Sequence, residues 1–132
     1  MQLQYGQVLG YVPDLLRGAL LALEIAFIAF VMGLAIGLLG ASIVQYGPRW
    51  ARLIVGAYVS FFTNTPQLVQ IFFLFFALPE FGVTLSPYQA VLLGMTLNAG
   101  AYLTEIQRAG FQSVHRAEVE AAETLGFSRV QI

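Results

Sequence analysis

Two clusters of polar residues interrupt an otherwise apolar chain, and both have types and spacings that could carry chemistry. At 100° per residue, Gly94, Asn98, Ala101, Glu105, Arg108 and Gln112 fall on one stripe of a helix. Small and polar groups set among Val, Leu, Met and Tyr either line a polar path or pack against another polar helix. In the packing reading, Gly94 and Ala101 permit close approach, Asn98 bonds between helices, and Glu105 pairs with Arg108 at i, i+3. The second cluster is Thr63-Asn64-Thr65-Pro66. Pro66 has no backbone N–H to donate, and Thr65 is expected to cap a helix that begins at Pro66. Inside a membrane, such a break is tolerated only where it is buried in protein or lines a cavity. Broken helices often mark transport sites. A proline kink whose threonines bond back to the backbone is the simpler alternative.

The elements that position these residues follow from composition. Of 132 residues, 58% are hydrophobic and only 10% charged, and mean hydropathy is +0.76. A soluble domain usually carries about 25% charged residues, so the class is an integral membrane protein, and the long apolar runs below make it all-α. Disorder is excluded, since disordered chains are charge-rich and poor in aromatics. There is no cysteine, which removes disulfides, thiolate metal sites and a cysteine nucleophile. A formal net charge of −1 offers no basic field for nucleic acid. No phosphate-binding Gly-x-x-x-x-Gly-Lys loop, zinc-type spacing or Gly-x-Ser-x-Gly element occurs, so no enzyme is expected. His115, the only histidine, reads as a solvated surface residue.

Three spans are expected. The first runs from Gly18 to Val44 with one charge, Glu24, and is long enough to cross a bilayer with some tilt. Glu24 should face protein, water or the headgroup region. This span is too long for a cleaved signal peptide, and the segment before it lacks a positive n-region. Gly47-Pro48 makes a turn, with Tyr46 and Trp50 suited to a membrane interface. The second span, Leu53 to Leu78, is kinked or broken at Thr63–Pro66. Its second piece would be about 18 Å long at 1.5 Å per residue, too short to cross alone. Pro79-Glu80-Phe81-Gly82 reads as a loop, and Ser86-Pro87 as a cap with proline in the first turn of the third span, Pro87 to about Gln107. No internal repeat of 20 to 50 residues is visible, and residues 1–132 read as a single domain. Arg49, Arg52, Arg108, Arg116 and Arg129 fall on one side, and only Arg17 on the other. The positive-inside rule then puts the N-terminus outside and the tail in the cytoplasm.

In that tail, Glu118, Glu120 and Glu123 surround Ala121-Ala122, with Leu125-Gly126 following. In a helix, Val119, Ala122 and Leu125 or Gly126 share a side. Gly126 can end this helix, and Ser128 can cap the next. A small apolar face with an acidic rim can dock in a groove on a soluble partner, or serve as a solvated linker.

Glu120-Ala121-Ala122, then three residues, then Gly126 resembles the "EAA" loop of bacterial ABC-importer permeases. The stretch from Asn98 through Tyr102, Glu105, Arg108 and Gly110 to Ser113-Val114 is similar to the third-helix pattern of the polar amino-acid subfamily. Asn64-Thr65-Pro66-Gln-Leu-Val-Gln70-Ile-Phe-Phe, with Leu78-Pro79 following, is similar too. The resemblance covers about Gly18 to Ile132. It implies the type I importer transmembrane fold, with about three helices of a usual five present, plus a cytoplasmic coupling helix.

On that resemblance, Glu120, Ala121, Ala122 and Gly126 would couple to a cytoplasmic ATP-binding subunit. That partner would bind ATP and Mg; this chain would need no cofactor of its own. A second permease subunit, the same chain or a sister, would pair with it. An extracytoplasmic solute-binding protein would deliver a polar amino acid, all in a bacterial inner membrane among its lipids. Thr65, Gln70, Asn98, Tyr102 and Glu105 are the candidates for the translocation path. The family pattern continues to an Ile-x-Leu-Pro and two further spans, so the chain is expected to be C-terminally incomplete. It departs from the pattern at Ala117-Glu118-Val119, where Gly-Gln usually precedes the Glu-Ala-Ala, and at Asn64, where glycine is frequent. Two other readings are a three-helix interaction module without transport activity and a self-standing secondary transporter; the second would call for an inverted repeat, and none is visible.

Overall fold

The computed structural model describes residues 10–128, and among them all regular structure is helical. Helix α1 spans Val12–Tyr46. It begins six residues earlier than expected, because Pro13 is compatible with the first turn. At 1.5 Å per residue its 35 residues reach about 52 Å. Gly47 and Pro48 end it in extended backbone, as expected, and α2 follows over Arg49–Asn64.

Thr65 and Pro66 are both extended, at φ −113° and −59° with ψ 137° and 132°. Beyond them, α3 runs from Gln67 to Phe72. It passes into a π-helical turn, Phe73–Ala77, and a 3-10 turn, Leu78–Phe81. Gly82 closes this arm in the left-handed region at φ 83°. The segment expected as a loop is thus partly helical. The two arms of the broken span, Arg49–Asn64 and Gln67–Phe81, are bent by 104°.

Helix α4 spans Pro87–Ser113 and opens on a full capping box. Gln89 N–H donates to Ser86 Oγ at 3.2 Å, and Ser86 N–H to Gln89 Oε1 at 2.9 Å. The sequence reading of Ser86-Pro87 as cap and first turn therefore holds. Helix α5 covers Arg116–Thr124. Its end is a Schellman turn: Phe127 N–H donates to Ala122 O at 3.1 Å, Gly126 N–H to Glu123 O at 3.0 Å, and Gly126 adopts φ 86°. Gly126 ends the helix as expected; the helix that Ser128 would cap falls outside the described residues.

The core is the seam between α1 and α4. Ile25, Ala29, Gly33, Gly37, Gly40 and Ala41 are buried on α1. Ala90, Gly94, Thr96, Gly100, Ala101 and Thr104 are buried on α4. Both rows are made mostly of small residues spaced about one turn apart, which lets the backbones approach closely. Gly33 stands against Ala99 and Gly100, Gly37 against Leu103 and Thr104, and Gly40 against Thr104. Higher numbers on one helix meet higher numbers on the other, so α1 and α4 run parallel. Tyr46 meeting Phe111 edge-on at 6.4 Å extends that register to the far end. Parallel neighbours require the intervening chain to return the length of the seam, and α2 with the bent arm beyond it does so.

By length and composition, one described helix (α1) is apolar enough to cross a membrane, or two when the bent pair counts as one span. Helix α4, expected as the third span, is long enough at 27 residues but falls short in apolar content. Its glycines, threonines, Gln89 and Asn98 lower the average, and its position against α1, α2 and α3 removes the need for an apolar surface all round.

Candidate functional site

Breaking a helix orphans the carbonyls of its last turn. For α2 these belong to Phe61, Phe62, Thr63 and Asn64. Where no water is present, each unsatisfied backbone group costs several kcal/mol, so the partners of these oxygens define the site. Phe61 O accepts from its own helix end, Thr65 Oγ1 at 2.7 Å. Phe62 O accepts from two side chains of other elements, Gln70 Nε2 at 3.1 Å and Asn98 Nδ2 at 3.2 Å. Tyr102 Oη lies 3.5 Å from Thr63 O, at the edge of hydrogen-bond range. Gln70 Nε2 also donates to Thr65 O at 3.0 Å and Thr65 Oγ1 at 2.7 Å. Asn98 Nδ2 completes the cluster on Gln70 Oε1 at 3.3 Å.

Thr65 therefore does not cap α3. Its hydroxyl bonds back to Phe61, and Pro66 occupies the cap position without a side-chain bond. With Pro66 at the cap position, the Thr65 hydroxyl meets the new helix only through the Gln70 side chain, at 2.7 Å. Gln70 is only 6% exposed, which is unusual for a carboxamide unless it is fully bonded. Tyr58, which sequence reasoning passed over, donates from Oη to Leu97 O at 2.6 Å and ties α2 to α4 nearly two turns before the break. A tyrosine inside an apolar run was the available signal, since a buried phenol needs an acceptor.

The polar stripe of α4 divides in two. Its upper half faces the broken span: Gly94 stands against Ile71 and Leu74, and Asn98 against Phe62 and Gln70. Ala101 is fully buried. In the lower half, Arg108 donates to Glu105 at 2.7 Å and to Gln112 at 3.1 Å on an exposed surface. That is the i, i+3 pair expected from spacing. Tyr102 and Glu105 are exposed, and Thr65 and Asn98 half-buried. Beside the break, Phe61, Phe62, Thr65, Val69, Gln70, Phe73, Leu74 and Leu97 line an open cavity of about 340 Å³.

Glu24 accepts from Tyr88 Oη at 3.0 Å. Tyr88 is the second residue of α4, so this carboxylate stands level with the start of that helix. His115 is exposed at the cap position of α5. The predicted coupling residues sit together at the opposite end of α4 from Glu24. Glu120, Ala121 and Gly126 are exposed, and Ala122 and Val119 half-covered. Among the described residues, no group of three or more His, Asp or Glu is placed to hold a metal.

Residues 30–132 match the family described as binding-protein-dependent transport system inner membrane component. The chain belongs to this family. The L-cystine transport system permease protein TcyB of Bacillus subtilis is 34% identical over 116 residues, covering 88% of this chain and 50% of that protein. The glutamine transport system permease protein GlnP of Escherichia coli K12 is 32% identical over 131 residues, 98% of this chain and 60% of that protein. A crystal structure of an amino acid ABC transporter with histidines superposes with a TM-score of 0.88 at 28% identity, over 98% of this chain and 61% of that one. The fold is that of the type I importer permease. The chain spans about half to three fifths of the length of these relatives.

Proposed function

We propose that the chain is the helix-break and coupling part of a permease subunit that imports polar amino acids across a bacterial inner membrane. The observation that carries this reading is that one helix links two features. Helix α4 holds the broken span at Asn98 and leads, through Val114 and His115, into the exposed α5 at its other end. Asn98 to Ser113 measures about 22 Å along the helix axis. A soluble ATP-binding subunit seated on α5 would therefore act on the break through a continuous helix.

The charge distribution supports an outside N-terminus and a cytoplasmic α5. The small apolar face of Val119 and Ala122, rimmed by Glu118, Glu120 and Glu123, suits a groove on that ATP-binding subunit, with ATP and Mg bound there and no catalysis in this chain. The named relatives support an amino acid as the solute. A second permease subunit would close the path, and an extracytoplasmic binding protein would supply it. The test is uptake of radiolabelled glutamine and cystine into proteoliposomes holding the parent complex with ATP inside. ATP-dependent accumulation of either, abolished by omitting the binding protein, supports the reading. ATP hydrolysis without accumulation of any amino acid would refute it.

A further inference from the structure

The hydrogen-bond pattern at the break separates two roles that the sequence could not. Gln70 Nε2 has two hydrogens and three acceptors, Phe62 O, Thr65 O and Thr65 Oγ1. Asn98 Nδ2 spends its two hydrogens on Phe62 O and Gln70 Oε1. The amide orientations follow from these partners: turned over, each carboxamide oxygen would face backbone carbonyls. No N–H of either group is left for a solute. Pro66 fixes its own φ and drives Thr65 out of the helical region, which breaks the helix, but it makes no bond that holds the second arm in one direction. Its cap position makes no side-chain bond, and the Thr65 and Pro66 torsions are ordinary extended values that allow many arm directions. The bonds that cross from one arm to the other run through Gln70, and Asn98 anchors that carboxamide to α4.

We propose that Gln70, buttressed by Asn98, is the positioning residue that fixes the 104° break, and that Gln70 is not a solute ligand. The first half of this inference holds whatever the parent complex carries, so its test reads geometry and not transport. This segment contains no cysteine, so spin labels at Leu53→Cys and Phe81→Cys report on the ends of the two arms. With arms of about 17 and 22 Å, the bent arrangement puts these ends roughly 24 Å apart, and a straight one roughly 39 Å. The experiment is double electron–electron resonance on the assembled parent complex in lipid nanodiscs. Cysteines elsewhere are replaced, and labelled subunits are diluted into unlabelled ones. A control pair, Leu38→Cys with Ile106→Cys, follows the α1–α4 seam.

Gln70→Met keeps the side-chain length and removes every donor; Gln70→Glu keeps an acceptor for Asn98. Both are expected to broaden the arm distance and move it outward by up to about 15 Å, with the control pair unmoved. Pro66→Ala is expected to keep the short, narrow distance. A narrow short distance in both Gln70 variants, or straightening in Pro66→Ala alone, would overturn the proposal. If Gln70→Met also disturbs the control pair, Asn98→Ala decides: broadening at the arms supports the brace, and an unchanged distribution overturns it. For the second half, the solute KM of Gln70→Glu is read in the same complex. A lowered maximal rate with KM within about twofold is expected; a KM raised tenfold or more with the arm distance intact would make Gln70 a solute contact.

Discussion

Replacing Gly37 by alanine tests the parallel seam where backbone comes nearest to the added methyl. A Cβ built there lies 2.7 Å from Leu103 Cβ, 2.9 Å from the Leu103 carbonyl carbon and 3.1 Å from Thr104 N. Carbon atoms in ordinary contact stand about 3.5–4.0 Å apart, so α1 and α4 must part by roughly 1 Å. Two of the three atoms are backbone, so a side-chain rotation cannot relieve the clash. Overpacking of this kind costs about 1–3 kcal/mol. Alanine also gains about 1 kcal/mol of helix propensity over glycine, which hides part of the loss. Gly56→Ala isolates that gain, because nothing lies within 4 Å of its added methyl. The two substitutions are chemically identical, and their difference should therefore equal the overpacking cost. Thermal unfolding of the detergent-solubilised parent permease, followed by far-ultraviolet circular dichroism, should place Gly37→Ala below the unsubstituted protein or level with it. Gly56→Ala should lie at or above it, and the two should differ by about 1–3 kcal/mol. Equal stability of the two variants would refute the seam as described.

Three further substitutions sample other elements. Ser86→Ala removes half of the capping box and should lower stability by about 1 kcal/mol, read in the same unfolding assay. Glu105→Gln removes the charge from the pair with Arg108 on an exposed surface and should change stability by less than about 0.5 kcal/mol. Gly126→Asp places a side chain at φ 86° and a negative charge on the docking face, next to an already acidic rim. It should block ATP-driven uptake in the parent complex while leaving membrane insertion, read by carbonate extraction, unchanged.

Much of this architecture was legible in the chain. Pro66 announced the break, Ser86-Pro87 the start of α4, and Gly126 the end of α5, because each depends on local backbone chemistry. The α1–α4 partnership left a trace in Ala29, Gly33, Gly37 and Ala41, spaced four apart, but such a row does not say which helix it meets or in which direction. That depends on the path of the returning span, and its 104° bend is set by contacts between residues 8 and 36 positions apart. Gln70 and Asn98 show the limit most clearly. A carboxamide in an apolar run reads equally as a path residue or as a brace. Only the position of the Phe62 and Thr65 carbonyls tells the two apart. Tyr58 was missed for the same reason, its acceptor being a backbone oxygen of another helix.

The proposed docking seats α5 on an ATP-binding subunit at one membrane face, and the same charge bias places Glu80, in the Leu78–Phe81 turn, toward the other. A photo-crosslinking amino acid placed at Ala122, and separately at Glu80, in the parent permease in intact bacterial membranes tests this most directly. The account predicts an adduct between position 122 and a cytoplasmic ATP-binding subunit, and none to that subunit from position 80. An adduct from position 80 instead, or none from position 122 in a complex that still hydrolyses ATP, would contradict it.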